Sequence, residues 1–415
     1  MFQSIEEALD WLYQQKKSKK RENLDRINFL IDTLDLRPKY HIIHIAGTNG
    51  KGSTTSYLNQ LLILRNYRVG MFVSPYVIEF NERIEVNGKY ISDADVLRLT
   101  NDLQRIALDY YTQTKDTIPF FELTFLMALL YFKEQQIEYL ILECGLGGTL
   151  DATNALDKDV AVITNIGYDH MLQLGNTLEE IAQHKLGITR PFVPCFTTVA
   201  KALQPTFEAY AKKHQIPMHY VLEDISNVKV CGEGVAFSYK NKEYMTSLGG
   251  IYQAQNASLA LAVIDYLDSR YPYDLARKAL KTTFWPGRFE RFEENIILDG
   301  AHNLPGMEGL RDSLELIYPN YTIKVVFTAL KDKAIKEMLS VLDTITNQYY
   351  FTTFLDNRSS DPTMYLTDKP YQIYPDYKEA IEVAIKELKP KEVLVITGSL
   401  HFISEVRKIL NTKNR

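Results

Sequence analysis

The stretch Gly47-Thr48-Asn49-Gly50-Lys51-Gly52-Ser53 gathers glycines, hydroxyls and one lysine, the residue types that wrap a phosphate. It follows the apolar run His41-Ile42-Ile43-His44-Ile45-Ala46 and precedes a helical pattern predicted over 54–65. A loop between a buried strand and a helix lets backbone N–H groups and the helix N-terminus cradle phosphate oxygens. Lys51 would reach the terminal phosphates, and Ser53 or Thr54 could offer a hydroxyl to magnesium. The strict nucleotide-loop pattern is not met, because Ile45 stands at its first glycine and Gly52 separates the lysine from the hydroxyl. A structural turn is the alternative reading.

Other candidate groups sit where apolar runs end. Glu143 closes Ile141-Leu142, and carboxyl ends of strands are where α/β sheets place their ligands. A nucleotide-bound Mg²⁺ is the natural partner for a carboxylate there; pairing with a structural arginine is the alternative. Asp299 closes Ile296-Ile297-Leu298, with His302 three residues on; here the alternative is a helix cap. His170 follows an apolar run over 160–164 through a glycine-containing turn, and Lys185 lies in a helical pattern over 177–188. Alone, that histidine reads as a satisfied polar residue and that lysine as a solvated charge.

The elements that must hold these groups alternate. Ser4 and Glu7 read as a capping box opening a helix over 4–15, and a second helix is expected over 23–35. Strands are predicted over 41–46, 69–73, 139–144, 160–164 and 192–197, with helices over 92–111, 122–135 and 177–188 between them. Strand, glycine loop, helix, strand is the opening of a parallel α/β unit. Residues 228–248 read as a small antiparallel patch, and 253–267 as a long helix. After Trp285-Pro286-Gly287-Arg288, strands at 296–298, 323–327, 349–353 and 393–397 begin a second series. The expected fold is α/β: a P-loop-type parallel-sheet ATPase domain over 1–286 and a smaller Rossmann-like domain over 287–415. A chain of 415 residues also exceeds one ordinary core.

Composition narrows the function. With 24% charged residues and a net charge of −5, nothing points to nucleic acid or an anionic membrane. The basic run Lys16-Lys17-Ser18-Lys19-Lys20-Arg21 reads as a solvated end of the first helix. Cys144, Cys195 and Cys231 are scattered, without metal-like spacing, and fit a reducing cytosol. The start of the chain is amphipathic, with Glu6 and Glu7, unlike a secretory leader. The longest apolar stretch, near 125–132, falls short of the ~20 residues that span a bilayer. The expectation is a soluble, cytoplasmic protein.

The chain resembles the folylpolyglutamate and dihydrofolate synthases, within the wider Mur ligase superfamily. The resemblance rests on the loop 47–54 and on further stretches in order: Ser74-Pro75 and Asn81-Glu82-Arg83-Ile84, then Glu143-Cys144-Gly145-Leu146-Gly147-Gly148 with Leu150-Asp151-Ala152-Thr153-Asn154. Asn165-Ile166-Gly167, Asp169-His170 and Lys185 follow, then Trp285-Pro286-Gly287-Arg288 and Leu298-Asp299-Gly300-Ala301-His302-Asn303. Leu330-Lys331-Asp332-Lys333 and Thr397-Gly398-Ser399-Leu400 complete the series.

That resemblance implies an ATP-dependent ligase adding L-glutamate to the γ-carboxylate of a reduced folate through an acyl phosphate. Ser74, Glu143 and His170 would bind Mg²⁺, at two sites, with Lys185 carbamylated as an auxiliary ligand. Residues 47–53, Asn256, Arg288 and Asp299 would contact ATP, and Asp151, His302 and Ser399 the other substrates. Lys51, His170, Lys185 and His302 would carry the catalysis. A monomer acting on small molecules is also what the resemblance implies. Four departures fall elsewhere: Tyr76 and Tyr252 where histidine is frequent, Thr149 for arginine, and Pro119 for threonine. They bear on the folate pocket and leave open whether dihydropteroate is also accepted. A Mur-type cell-wall ligase shares the chemistry, but ordinarily carries a sizeable domain ahead of its loop, whereas 46 residues precede Gly47. A small-molecule P-loop kinase would not need the second α/β domain with Asp299 and His302, and a catalytically silent folate- or nucleotide-binding homologue is the third alternative.

Overall fold

The apolar runs that end in chemistry-bearing residues become neighbouring parallel strands. A computed structural model describes residues 1–15, 23–232 and 234–413; the basic run at 16–21 lies outside the described residues. The first sheet has eight strands: β1 (His41–Ala46), β2 (Val69–Phe72), β3 (Ile84–Val86), β4 (Lys89–Tyr90), β5 (Tyr139–Glu143), β6 (Val160–Ile163), β7 (Cys195–Thr197) and β8 (Met218–Tyr220). Their order is β4-β3-β2-β5-β1-β6-β7-β8. The six from β2 to β8 run parallel, and β3 and β4 extend the edge as an antiparallel hairpin. Register pairs Ile45 of β1 with Glu143 and Ala46 with Ile163. The phosphate loop, Glu143 and the segment leading to His170 therefore leave the same sheet edge side by side.

Both faces of this sheet are covered, which is why its strands are apolar without alternation. Helices Ile5–Gln14, Asp25–Thr33, Asp93–Thr114 and Phe120–Gln135 pack on one face, around Phe72, Phe125 and Phe132. Lys51–Leu64, Gln253–Leu267 and Tyr273–Thr282 pack on the other, around Tyr57, Leu58 and Leu261. The helix at Lys51–Leu64 is buried almost all round between sheet and second helix, so its pattern is not amphipathic. It also starts three residues before the predicted Thr54. At the first helix, Ser4 Oγ accepts from Glu7 N, but the Glu7 carboxylate turns to Gln3 N instead of closing the box.

A three-stranded antiparallel sheet follows: β9 (Ile225–Cys231), β10 (Gly234–Tyr239) and β11 (Lys242–Thr246). The third sheet holds β12 (Glu290–Glu293), β13 (Ile296–Asp299), β14 (Thr322–Phe327), β15 (Thr346–Thr352), β16 (Tyr371–Tyr374) and β17 (Glu392–Thr397), in the order β12-β13-β17-β14-β15-β16. All neighbours are parallel except β12 on β13. Asp299 pairs with Thr397, which pairs with Phe327, so the segments carrying His302, Ser399 and Lys333 emerge together at one edge. Apolar cores fill both faces. Among the described residues, no helix is long and apolar enough to cross a membrane.

Candidate active site between the two large sheets

The phosphate loop is held open from beneath by the segment that follows β6. Thr48 N donates to Asn165 O at 3.0 Å and Asn49 N to Asn165 Oδ1 at 2.9 Å. Thr48 Oγ1 donates to Gly167 O and accepts from Gly167 N, and Thr164 Oγ1 donates to Asn49 O. Gly50 takes φ 81°, and a Cβ there would collide with the Asn256 carboxamide. That left-handed residue turns the chain so that the helix begins at Lys51, leaving the N–H groups of its first turn to face a ligand. Gly52 lies against the Trp285 indole, where a Cβ would stand 2.7 Å from the ring nitrogen.

Two cavities meet at this loop. The first, about 250 Å³, is lined by residues 47–52, Ser74, Glu143, His170 and Lys185 from the first sheet. Arg288, His302, Lys333, Ser399 and His401 close it from the other side. The second, about 80 Å³, is lined by Asn49, Gly50, Ser53 and Asn256 against Arg288, Asp299 and Tyr252. Arg288 borders both. Sixteen of the seventeen residues named as site candidates thus come together; Asp151 does not.

Inside the first cavity, charge is left without a protein counter-charge. Burial pushes the Glu143 carboxyl up to about 7, against the pull of Lys51, and its hydrogen-bond donor is Ser74 N at 3.3 Å. Lys51 folds back, donating to Gly47 O at 3.1 Å and Thr48 O at 3.3 Å. Lys185, 4% exposed, is no solvated charge: its Nζ donates to the same Gly47 O at 2.8 Å. Burial, with help from Lys51, pushes the Lys185 amine down to about 7.

These groups fit a magnesium ion. Among the described residues Ser74 Oγ is buried with no hydrogen-bond partner and Glu143 faces no cation at ion-pair distance, and His170 lines the same cavity. Among the described residues no three His, Cys, Asp or Glu side chains cluster as a metal cage. Mg²⁺ ordinarily takes one or two carboxylates together with substrate phosphates and water, so a partial protein shell is the form expected of its site. Of the two hydroxyls considered in the loop, Ser53 Oγ accepts from Gln253 Nε2, whereas Thr54 Oγ1 is buried and unpartnered.

The second-domain residues are held as firmly. Asp299 Oδ2 accepts from Tyr252 OH at 2.9 Å and Phe289 N at 2.7 Å, and Oδ1 from Ala301 N at 2.7 Å. It does not cap the next helix; Asn303 does, accepting from Gly306 N. Tyr252, a departure from the family pattern, therefore orients Asp299. His302 anchors Nδ1 on Gly300 O at 2.8 Å and turns Nε2 toward Asp169 Oδ2 at 3.5 Å.

Asp151 stands just outside the two cavities. Both of its oxygens are used locally: Oδ2 accepts from Leu146 N, and Oδ1 from Thr153 N and Oγ1. Its motif, Asp-Ala-Thr, is that of a residue capping the short turn at Ala152–Ala155. It holds the Gly145 to Gly148 loop and does not line the cavity. Sequence reasoning also gave no role to Arg83, which lies 7% exposed among aromatic rings, 5.0 Å from the Tyr76 centroid and 5.4 Å from Phe120. Its Nε has no partner, and an arginine surrounded by Tyr and Phe rings has no sequence-local signal. The Asp169–Lys333 contact, at 2.6 Å, spans 164 residues and was equally hidden.

The Mur ligase middle domain family matches residues 45–264, and the Mur ligase glutamate ligase domain matches 287–400. The chain is 37% identical to the dihydrofolate synthase/folylpolyglutamate synthase of Bacillus subtilis, over 99% of this chain and 100% of that protein. A structure of E. coli FolC in complex with DHPP and ADP superposes with a TM-score of 0.89, at 26% identity and 99% coverage of each chain. The Yersinia pestis bifunctional folylpolyglutamate synthase/dihydrofolate synthase, complexed with AMPPNP and Mn ion, gives 0.87 at 26% identity, covering 98% of each.

Lys51 and Glu143 bring a cationic and an acidic side chain to one cavity beside the phosphate loop. Lys51→Ala and Glu143→Ala should therefore each lower ATP turnover at least ~10²-fold. Steady-state ADP release from purified, folded variants checks this, and near-normal turnover in either contradicts the assignment.

Proposed function

This chain belongs to the dihydrofolate synthase/folylpolyglutamate synthase family, and on that premise we propose how its cleft performs the ligation. The enzyme is an ATP-dependent acid–amino-acid ligase. It joins L-glutamate to the γ-carboxylate of a reduced folate, and takes the carboxylate of dihydropteroate as a second acceptor. One observation carries the reading: a single cavity sets the phosphate loop, Glu143 and Lys185 against His302, Ser399 and Lys333 of the third sheet. Phosphoryl transfer and amide formation need such groups within one water-poor space.

In the first half-reaction an acceptor carboxylate oxygen attacks the γ-phosphorus, the bond to ADP breaks, and an acyl phosphate forms. In the second the glutamate amine adds to the acyl carbon, loses a proton to solvent, and expels phosphate with the bonding electron pair. Lys51 and the first-turn N–H groups stabilise negative charge on the transferring phosphoryl group. Asn256, Arg288 and Asp299, beside Gly50 in the smaller cavity, hold the nucleotide. Ser74, Glu143 and His170 would hold Mg²⁺, at two sites together with phosphate oxygens, and the metal supplies compensation for charge developing on oxygen. Residues 1–286 and 287–415 act as the two domains, a division supported by their separate sheets and by the φ of 68° at Gly287 in the turn between them. The assigned cavities are complete within one chain, which supports a monomer, and its three free cysteines suit a reducing cytoplasm.

Lys185 works as its carbamate. An amine pushed down to about 7 is substantially neutral at physiological pH. Its lone pair attacks the carbon of CO₂, an N–C bond forms, and the displaced proton goes to water. The carbamate retains one N–H for Gly47 O and places a carboxylate beside the lysine and the metal ligands.

Glutamate-dependent ADP release should require added Mg²⁺ and be stimulated by tetrahydrofolate and dihydropteroate, offered in parallel with UDP-muramoyl peptides. Stimulation by a muramoyl peptide alone would replace this reading with a cell-wall ligase. Lys185→Ala should be nearly inactive and partly rescued by formate or acetate, which fit the vacated carboxylate position. Wild-type rates in that variant contradict a role for the lysine, and carbon-13 NMR with labelled bicarbonate reads the carbamate directly.

A further inference from the structure

The residue before His170 is the most heavily contacted acid in the cleft, and no step above uses it. Asp169 Oδ1 accepts from Lys333 Nζ at 2.6 Å and from His170 N at 2.9 Å. Its Oδ2 accepts from Asn303 Nδ2 at 2.9 Å and lies 3.5 Å from His302 Nε2. The Asp169 and Lys333 side chains are 9% and 7% exposed. Every one of these partners except His170 belongs to the third sheet, and Asp169 to the first.

Asn303 extends the contact to the phosphate loop. Its Nδ2 donates to Asp169 Oδ2 and to Asn49 Oδ1 at 3.1 Å. Its Oδ1 accepts from Asn49 Nδ2 at 2.9 Å and from Gly306 N at 2.9 Å. All donor and acceptor capacity of that amide is used, so its orientation is fixed by the phosphate loop on one side and Asp169 on the other.

We propose that Asp169 is a positioning residue of the ligase: it fixes Lys333 over the phosphate loop as the cationic seat of the incoming dicarboxylic amino acid, with His302 turned to the same carboxylate. The proposal rests on the ligase reading above. A buried ion pair returns little net stability once both charges are desolvated, and its established use is to select one geometry. Among the described residues Asp169 is the one carboxylate on Lys333. Two of the three ammonium N–H bonds thus remain for a ligand in the first cavity, which Lys333 lines with Arg358 and Ser399. Replacing Asp169 with asparagine keeps the shape but sets an amide N–H₂ against the Lys333 ammonium or the Asn303 N–H₂. The lysine must then leave its position, while the nucleotide contacts of Asn256, Arg288 and Asp299 stay intact.

Wild-type glutamate-dependent ADP release with tetrahydrofolate is measured first; its absence overturns the ligase reading itself. Given that activity, Asp169→Asn should raise the glutamate KM at least about tenfold and lower kcat, with ADP affinity by calorimetry held within about threefold. Because Asp169 acts through the lysine, Asp169→Asn combined with Lys333→Met should be no worse than about threefold below the poorer single variant. An unchanged glutamate KM, losses that multiply in the double variant, or a parallel fall in ADP affinity each overturn the proposal. If Asp169→Asn does not fold, Lys333→Met and Lys333→Arg carry the test. The methionine variant must raise the glutamate KM and the arginine variant restore much of it; failure of either overturns the proposal.

Discussion

A carboxylate and an amine lie buried in one cleft, and neither is neutralised by the other. This is the constraint on which the site depends. Burial moves Glu143 up to about 7 and Lys185 down to about 7, so both are drawn toward their uncharged forms. Protein interiors tolerate such groups poorly unless something completes them. Nucleotide phosphates, a divalent ion and CO₂ are agents of the right charge and size. The same incompleteness explains the unpartnered Ser74 Oγ and the folded-back Lys51. A protein carboxylate on Lys185 or a lysine on Glu143 would be more stable and would leave less for a ligand to complete.

The fold delivers this cleft by bringing two sets of strand ends together. Parallel strands carry their helices on the sheet faces, leaving loops at the carboxyl ends free to vary. In the first sheet those ends hold the phosphate loop, Glu143 and the Asp169-His170 turn. In the third they hold His302, Lys333 and Ser399. The polar bridge from Asn49 through Asn303 to Asp169 joins the two sets, which suits a cleft that must admit and release charged substrates.

Much of this was legible in the sequence because burial on both faces of a parallel sheet produces uninterrupted apolar runs. His41–Ala46 falls within the predicted bounds for that reason. The early start of the helix at Lys51 was not legible, since it depends on Gly50 adopting φ 81° beneath Asn256. Lys185 read as a surface charge because nothing local reveals that its helix turns it toward Gly47 O. Asp151 matched a motif position for substrate, yet its contacts are those of a cap, and motif matching does not separate the two. Lys333, Asn303 and His302, the third-sheet partners of Asp169, lie more than a hundred residues away, beyond any periodicity or spacing argument.

The central claim is that one cleft passes a phosphoryl group to the acceptor before the amide forms. Supplying tetrahydrofolate with oxygen-18 in its γ-carboxylate and reading the released phosphate by phosphorus-31 NMR tests this directly. Transfer through an acyl phosphate predicts one labelled oxygen in each phosphate formed alongside the glutamyl product. Unlabelled phosphate, released while the amide accumulates, would contradict it.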